Sequence, residues 1–217
     1  MKQLHILVLA IVVAGMTLLT GCESTSKPAG NEQPASTAAT PAPVKQPTLY
    51  TGLQAFGCVN GLAQRWARDV IPVRLESQAN SEANGQNGKA TVWKVGFISP
   101  SRRTIQFFTC SGSRLPDAPP YGPSAGNEQA YGPDVAALGF QPLLLKTDSD
   151  QAYTVAPEHG GANLTKKNPN QVVTYFVLWH PKQRALYWYV MYGKDKASAV
   201  GTGIINALTG AYVGVGK

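Results

Sequence analysis

The chain has 217 residues, with 19 Lys and Arg against 12 Asp and Glu, for a net charge of +7. Its positive excess is scattered, since only Arg102-Arg103 and Lys166-Lys167 are adjacent basic pairs. No Lys/Arg stripe interleaves with aromatic residues, so nucleic acid is not an expected partner and the lysines read as solvated positions.

Lys2 and the free amine precede an apolar run from Ile6 to Leu19, "ILVLAIVVAGMTLL". It is shorter than the ~20 residues a membrane-spanning helix needs and fits the apolar region of a secretory signal. The run closes on Leu19-Thr20-Gly21-Cys22. That quartet resembles a bacterial lipobox: a branched apolar residue, two small residues and a cysteine. The resemblance implies that residues 1–21 are a cleaved lipoprotein signal peptide and that Cys22 becomes the acylated N-terminus, seated in a lipid bilayer. Each buried methylene adds ~0.8 kcal/mol, so two or three acyl chains hold a protein stably where one does not. Glu23, rather than Asp, follows the cysteine. The same resemblance then implies export to the periplasmic face of a Gram-negative outer membrane. Residues 22–47 are rich in Pro, Ala, Ser and Thr with no apolar period. Such a composition reads as a disordered, semi-extended tether.

The folded part is expected from residue 48. Thr51 and Gln54 have the spacing of a capping box, in which each side chain serves the other's backbone amide. An amphipathic helix to about Arg68 follows, with Leu53, Phe56, Val59, Ala63, Trp66 and Val70 on its apolar face. Pro72 ends it. "VRLES", "ATVWKVGF" and "TIQFFTC" read as strands, separated by the turn-rich "QANSEANGQNGK" and by "SPSRR". Residues 48–114 thus form a first helix-plus-sheet unit. Residues 115–139, dense in Pro, Gly and Tyr, read as an irregular surface connection.

Residues 140–217 repeat the order. Asp148 and Gln151 make a second box-like helix start, Pro157 should break or shorten that helix, and Gly160-Gly161 supplies a stop. "VVTYFVLW", "ALYWYVMY", "GTGIINA" and "AYVGV" follow as strands. A meander with one helix closes its own core poorly, so two such units would pack together. The expected fold class is α+β: two tandem repeats, each one helix plus an antiparallel β-meander, forming a curved sheet. In "ALYWYVMY", Tyr187, Tyr189 and Met191 share one face while Trp188, Val190 and Tyr192 share the other. A strand apolar on both faces is covered twice, or is covered once and binds something on its free side.

The stretch from "DSDQAYTVAPEHGGANLTKKNP" through "LYWYVMYG" to "GTGIINALTGAYV" resembles the PepSY-like domain family over most of residues 147–213. "GKATVWKVGFISPS" is similar to its companion repeat, and the tandem resembles the fold of the beta-lactamase inhibitor protein family. Asn206 stands where the family usually has Asp, which weakens any role for a carboxylate there. The resemblance implies a non-catalytic envelope protein that inhibits or modulates a peptidase. A passive structural envelope lipoprotein is the alternative, and an envelope hydrolase a more distant one.

The residues themselves favour binding over catalysis. His159 at a helix end and His180 before Pro181 both have structural explanations, and Asp148 and Asp150 read as caps. No Cys or His lies at metal-ligand spacing, so neither metal nor cofactor is expected. Cys58, on the flank of the helix's apolar face, and Cys110, at a strand end, would close a loop of roughly fifty residues if bridged, for about 3–4 kcal/mol; bridge and free thiols both stay open at this point. Trp179, Tyr187, Trp188, Tyr189 and Tyr192 are the candidate anchors for a protein or peptide ligand, being of the types enriched at binding hot spots. The pattern does not fix an oligomeric state. Substituting Cys22→Ser should move the protein from the membrane to the soluble fraction on cell fractionation. Membrane retention of the variant would refute acylation as the anchor.

Overall fold

The computed structural model describes residues 45–216. The expected signal peptide, Cys22 and nearly all of the expected tether lie outside the described residues. One helix, α1 (Gly52–Trp66), opens the fold. Four strands follow: β1 (Ile71–Gln78), β2 (Val92–Ser99), β3 (Thr104–Ser111) and β4 (Gly122–Ala130). The short helices α2 (Pro133–Ala136), α3 (Ser149–Val155) and α4 (Gly161–Lys167) come next. The chain closes with β5 (Thr174–His180), β6 (Ala185–Met191), β7 (Thr202–Asn206) and β8 (Tyr212–Val215).

All eight strands join one antiparallel sheet in the order β4-β3-β2-β1-β5-β6-β7-β8, open at both edges. This corrects the expectation of two tandem helix-plus-meander repeats. Three features overturn it. First, β1 pairs directly with β5, through Leu75↔Val177 and Glu76↔Phe176, so the strands merge into a single sheet. Second, the core is undivided: one cluster of buried residues runs from Ala55 on α1 to Ala207 past β7, and Trp93 of β2 meets Trp188 of β6 edge to face at 6.3 Å. Third, the second half has no single covering helix. Pro157 lacks the N–H a helix interior needs, and Gly160 adopts φ +108, a left-handed conformation that suits glycine, so α3 stops at Val155 and α4 starts afresh at Gly161.

The segment expected as an irregular connection also differs. Residues 122–130 form β4, which pairs with β3 from Thr104↔Ala130 to Ser111↔Gly122. Its sequence, "GPSAGNEQA", has no apolar alternation because most of its side chains are exposed on a sheet edge. Pro123 and Glu128 guard that edge against pairing with another chain. Glu128 accepts hydrogen bonds from Arg102 Nε at 2.9 Å, Thr104 Oγ1 at 2.5 Å and Trp66 Nε1 at 3.1 Å, tying β4 to α1. These partners hold its carboxyl down at about 2.

Helix α1 buries a spine of small residues, Gly52, Ala55, Val59 and Ala63. Their size lets the helix approach the sheet closely; a Cβ on Gly52 would collide with the Trp188 ring. Cys58 is bonded to Cys110 of β3, with Cα atoms 6.1 Å apart, which pins the middle of α1 to the sheet.

Both expected capping boxes are present: Thr51 with Gln54 on α1, and Asp148 with Gln151 on α3. What the local pattern could not show is that the two helix starts face each other. Gly52 N–H donates to Ser149 Oγ at 2.8 Å, and Leu53 N–H donates to Asp148 Oδ1 at 2.9 Å. Ser149 Oγ–H in turn donates to Gly88 O at 2.5 Å, drawing in the loop between β1 and β2. Removing a partner of a buried polar group costs about 1–3 kcal/mol for each group left unpaired. Ser149→Ala strands both the Gly52 amide and the Gly88 carbonyl. It should lower unfolding stability by roughly 2–4 kcal/mol, read as a lower urea midpoint at unchanged slope. A loss under about 0.5 kcal/mol would show that Ser149 is dispensable to this junction.

Candidate binding face

Alternation along the strands separates an inner face, under the helices, from an outer one. The outer face of β1–β3 is covered by its own cluster: Val73, Ile98 and Ile105 pack with Phe107, Tyr131, Val135 and Leu138. That cluster does not extend over β5–β7. There the outer face carries the cross-strand rows Thr174, Met191 and Thr202; then Phe176, Tyr189 and Ile204; then Leu178, Tyr187 and Asn206. Except for Thr174 and Met191, these side chains remain half-exposed.

The five candidate aromatics fall on both sides of the sheet. Tyr187 and Tyr189 lie on the outer face. Trp188 is fully buried inside, where its indole N–H donates to Thr147 O at 2.8 Å. Tyr192 is also inside, 2% exposed, and Trp179 packs against the inner core. Trp188 and Tyr192 are therefore core residues and not surface anchors, while Trp179 is half-buried at the margin of the core. Sequence reasoning missed Phe176, Leu178 and Ile204, which complete the outer patch. Only the partner register of β5, β6 and β7 reveals them.

Phe176 and Tyr189 stand side by side as a stacked pair, centroids 4.3 Å apart and planes 4° from parallel. Arg74 lies over the far side of Phe176 at 5.9 Å. The Tyr189 hydroxyl is hydrogen-bonded to His180 Nε2 at 2.6 Å. Burial lowers the His180 pKa and, with Tyr187 nearby, raises that of Tyr189, so both stay neutral at pH 7. Two adjoining hollows flank this row. One of about 260 Å³ runs from Arg74, Glu76 and Gln78 of β1 to Lys194 and Lys196 beyond β6. The other, about 310 Å³, is floored by Phe176, Leu178, Tyr189, Met191 and Ile204 and reaches Val215 of β8. They share Phe176, Met191 and Lys196, making one trough across the sheet.

The charge along the trough is positive. Arg74 and Glu76 offset each other in a 2.5 Å ion pair, and Asp195 is occupied by the Ser198 amide at 2.8 Å. Lys196 makes no ion pair among the described residues. Among the described residues no group of three His, Cys, Asp or Glu side chains is placed to hold a metal ion, and no helix is long and apolar enough to cross a membrane. His159, the other histidine considered at the outset, stacks on Tyr212 of β8 at 3.6 Å, away from His180 on the opposite side of the sheet.

Compared with family models, curated proteins and solved structures, the chain matches none.

The His180 imidazole offers a direct check on this face. With its pKa below the ordinary value, the unfolded chain binds the proton first as pH falls. Its contribution to stability is therefore complete above about 6.5 and declines below it, toward the folded-state pKa. An NMR titration should place the His180 midpoint under 6.5. A midpoint at or above that value would contradict the burial of this pair.

Proposed function

We propose that this chain is a non-catalytic binding module, held to a membrane through acylated Cys22, whose outer β5–β7 face takes a protein or peptide segment. The single observation that carries the reading is the row Phe176, Tyr189 and Ile204, left uncovered by the described residues and set in a trough with a cationic rim. Aromatic side chains on a rigid sheet offer a large contact area at low entropic cost. The matching ligand is an extended peptide with apolar side chains for the trough floor and a carboxylate for Lys196. One face of each stacked ring is taken up by the other and Arg74 lies over Phe176, which leaves little flat ring surface for a sugar and suits branched and aromatic side chains better. Modulation of a peptidase fits this reading, since a peptidase presents or accepts extended segments. That choice of target comes from the family resemblance; the geometry supports only the peptide-like ligand.

Screening the purified domain against an array of random decapeptides tests it. Retained peptides should be apolar with at least one acidic residue. Tyr189→Ala should weaken them more than about tenfold, the scale of a binding hot spot. Lys196→Glu should weaken the acidic ones selectively, and added salt should mimic it. Failure to retain any peptide, or turnover of peptide substrates, would overturn the reading.

A further inference from the structure

The two edges of the sheet are unlike. Edge strand β4 carries Pro123 and the Glu128 network. Edge strand β8, "YVGV", has no charge and no proline, and exposes Val213 and Val215, the latter at 72%. An uncharged, unguarded strand edge is a template for another strand. The Gly216 amide turns inward to Thr202 O at 2.9 Å, so strand alternation turns the Val215 amide away from β7 and into the open.

Pockets lie on both sides of this edge. On the outer face the trough ends at Val215 and Gly216. On the inner face a separate pocket of about 170 Å³ is bounded by Ala156, Gly161, Leu164, Tyr192, Tyr212 and the same Val215. That volume is near the ~150 Å³ of a cavity known to admit a benzene ring, enough for one side chain. Tyr192 supplies a second indication of a ligand. It is 2% exposed, its hydroxyl has no hydrogen-bond partner among the described residues, and it lies against Gly161 at the pocket wall. A buried hydroxyl left unpaired is costly, and a polar group entering this pocket would satisfy it.

We propose that β8 is a docking edge, on which an extended segment of a partner protein pairs as a ninth strand. This rests on the reading of the outer face as a peptide-binding surface and specifies how the peptide lies. Successive side chains of a strand point to opposite faces. One residue of the segment therefore drops an apolar side chain into the outer trough, and the next sends a side chain with a hydrogen-bonding group toward Tyr192. An acidic residue on the trough side meets Lys196. Main-chain pairing supplies affinity and the two pockets supply selectivity, which is the logic of strand addition.

The test uses the tightest decapeptide from the array. With it bound, hydrogen exchange of the Val215 amide should slow at least tenfold. Val215→Pro, which removes the outward N–H and is tolerated on an edge, should weaken binding at least tenfold with an unchanged circular dichroism spectrum, whereas Val215→Ala, which trims the side chain shared by both pockets but keeps that N–H, should weaken it less than about threefold. If Tyr189→Ala weakens the peptide but β8 exchange is unmoved on binding, strand pairing is overturned and the outer-face reading stands. If no peptide is retained, both fall together. A dimer in sedimentation that Val215→Pro dissolves would assign the edge to a second copy of this chain and overturn the proposal.

Discussion

The fold turns on one junction, where the N-termini of α1 and α3 meet at Asp148 and Ser149. Each helix start has unpaired amides that intrahelical bonding cannot serve. Here the capping residues of one helix serve both: Asp148 Oδ1 accepts from Leu53 and from Ser149, while Ser149 Oγ accepts from Gly52 and donates to Gly88. A carboxylate between two positive helix ends is favourable to both dipoles. Trp188 packs beneath Gly52, so the junction sits directly on the paired indoles of the core. With the inner face sealed in this way, the apolar side chains of the outer face have no helix over β5–β7 among the described residues.

Much of the local structure was legible in the residues. Seven strands follow from runs of β-branched and aromatic residues between turn signals, and both helix starts follow from the capping boxes. β4 was not legible, because an edge strand exposed on both sides has no reason to alternate and reads as a loop. The larger error was architectural. Similar element order in the two halves suggested two repeats, but order does not reveal how β1 and β5 meet. Their pairing is short, and it is supplemented by Tyr175 N–H donating to Ser77 Oγ at 2.9 Å. Those contacts join residues about a hundred positions apart, and no local pattern encodes them.

The candidate site shows the same division. Tyr187, Trp188, Tyr189 and Tyr192 are equally aromatic in sequence, and alternation sorts them into two faces without saying which face is covered. Burial decides it: Trp188 and Tyr192 belong to the core, Tyr187 and Tyr189 to the surface. Phe176, Leu178 and Ile204 join them only through register. The neutral His180 and Tyr189 pair keeps charge away from the patch centre, while Lys196 places it at the rim. An apolar centre with a charged margin is the usual anatomy of a protein interface.

The shared cap has a temporal consequence. Residues Gly52 and Leu53 find their acceptors 97 and 95 positions downstream in the chain, respectively. Contacts so distant carry a large closure cost and slow the approach to the native state. A nascent chain that stops short of residue 148 holds α1 with its first amides open to water and β1 with one flank bare. The central seam closes only when the carboxyl-terminal third has emerged, so completion of the polypeptide, more than the early helix, commits the molecule to its final shape.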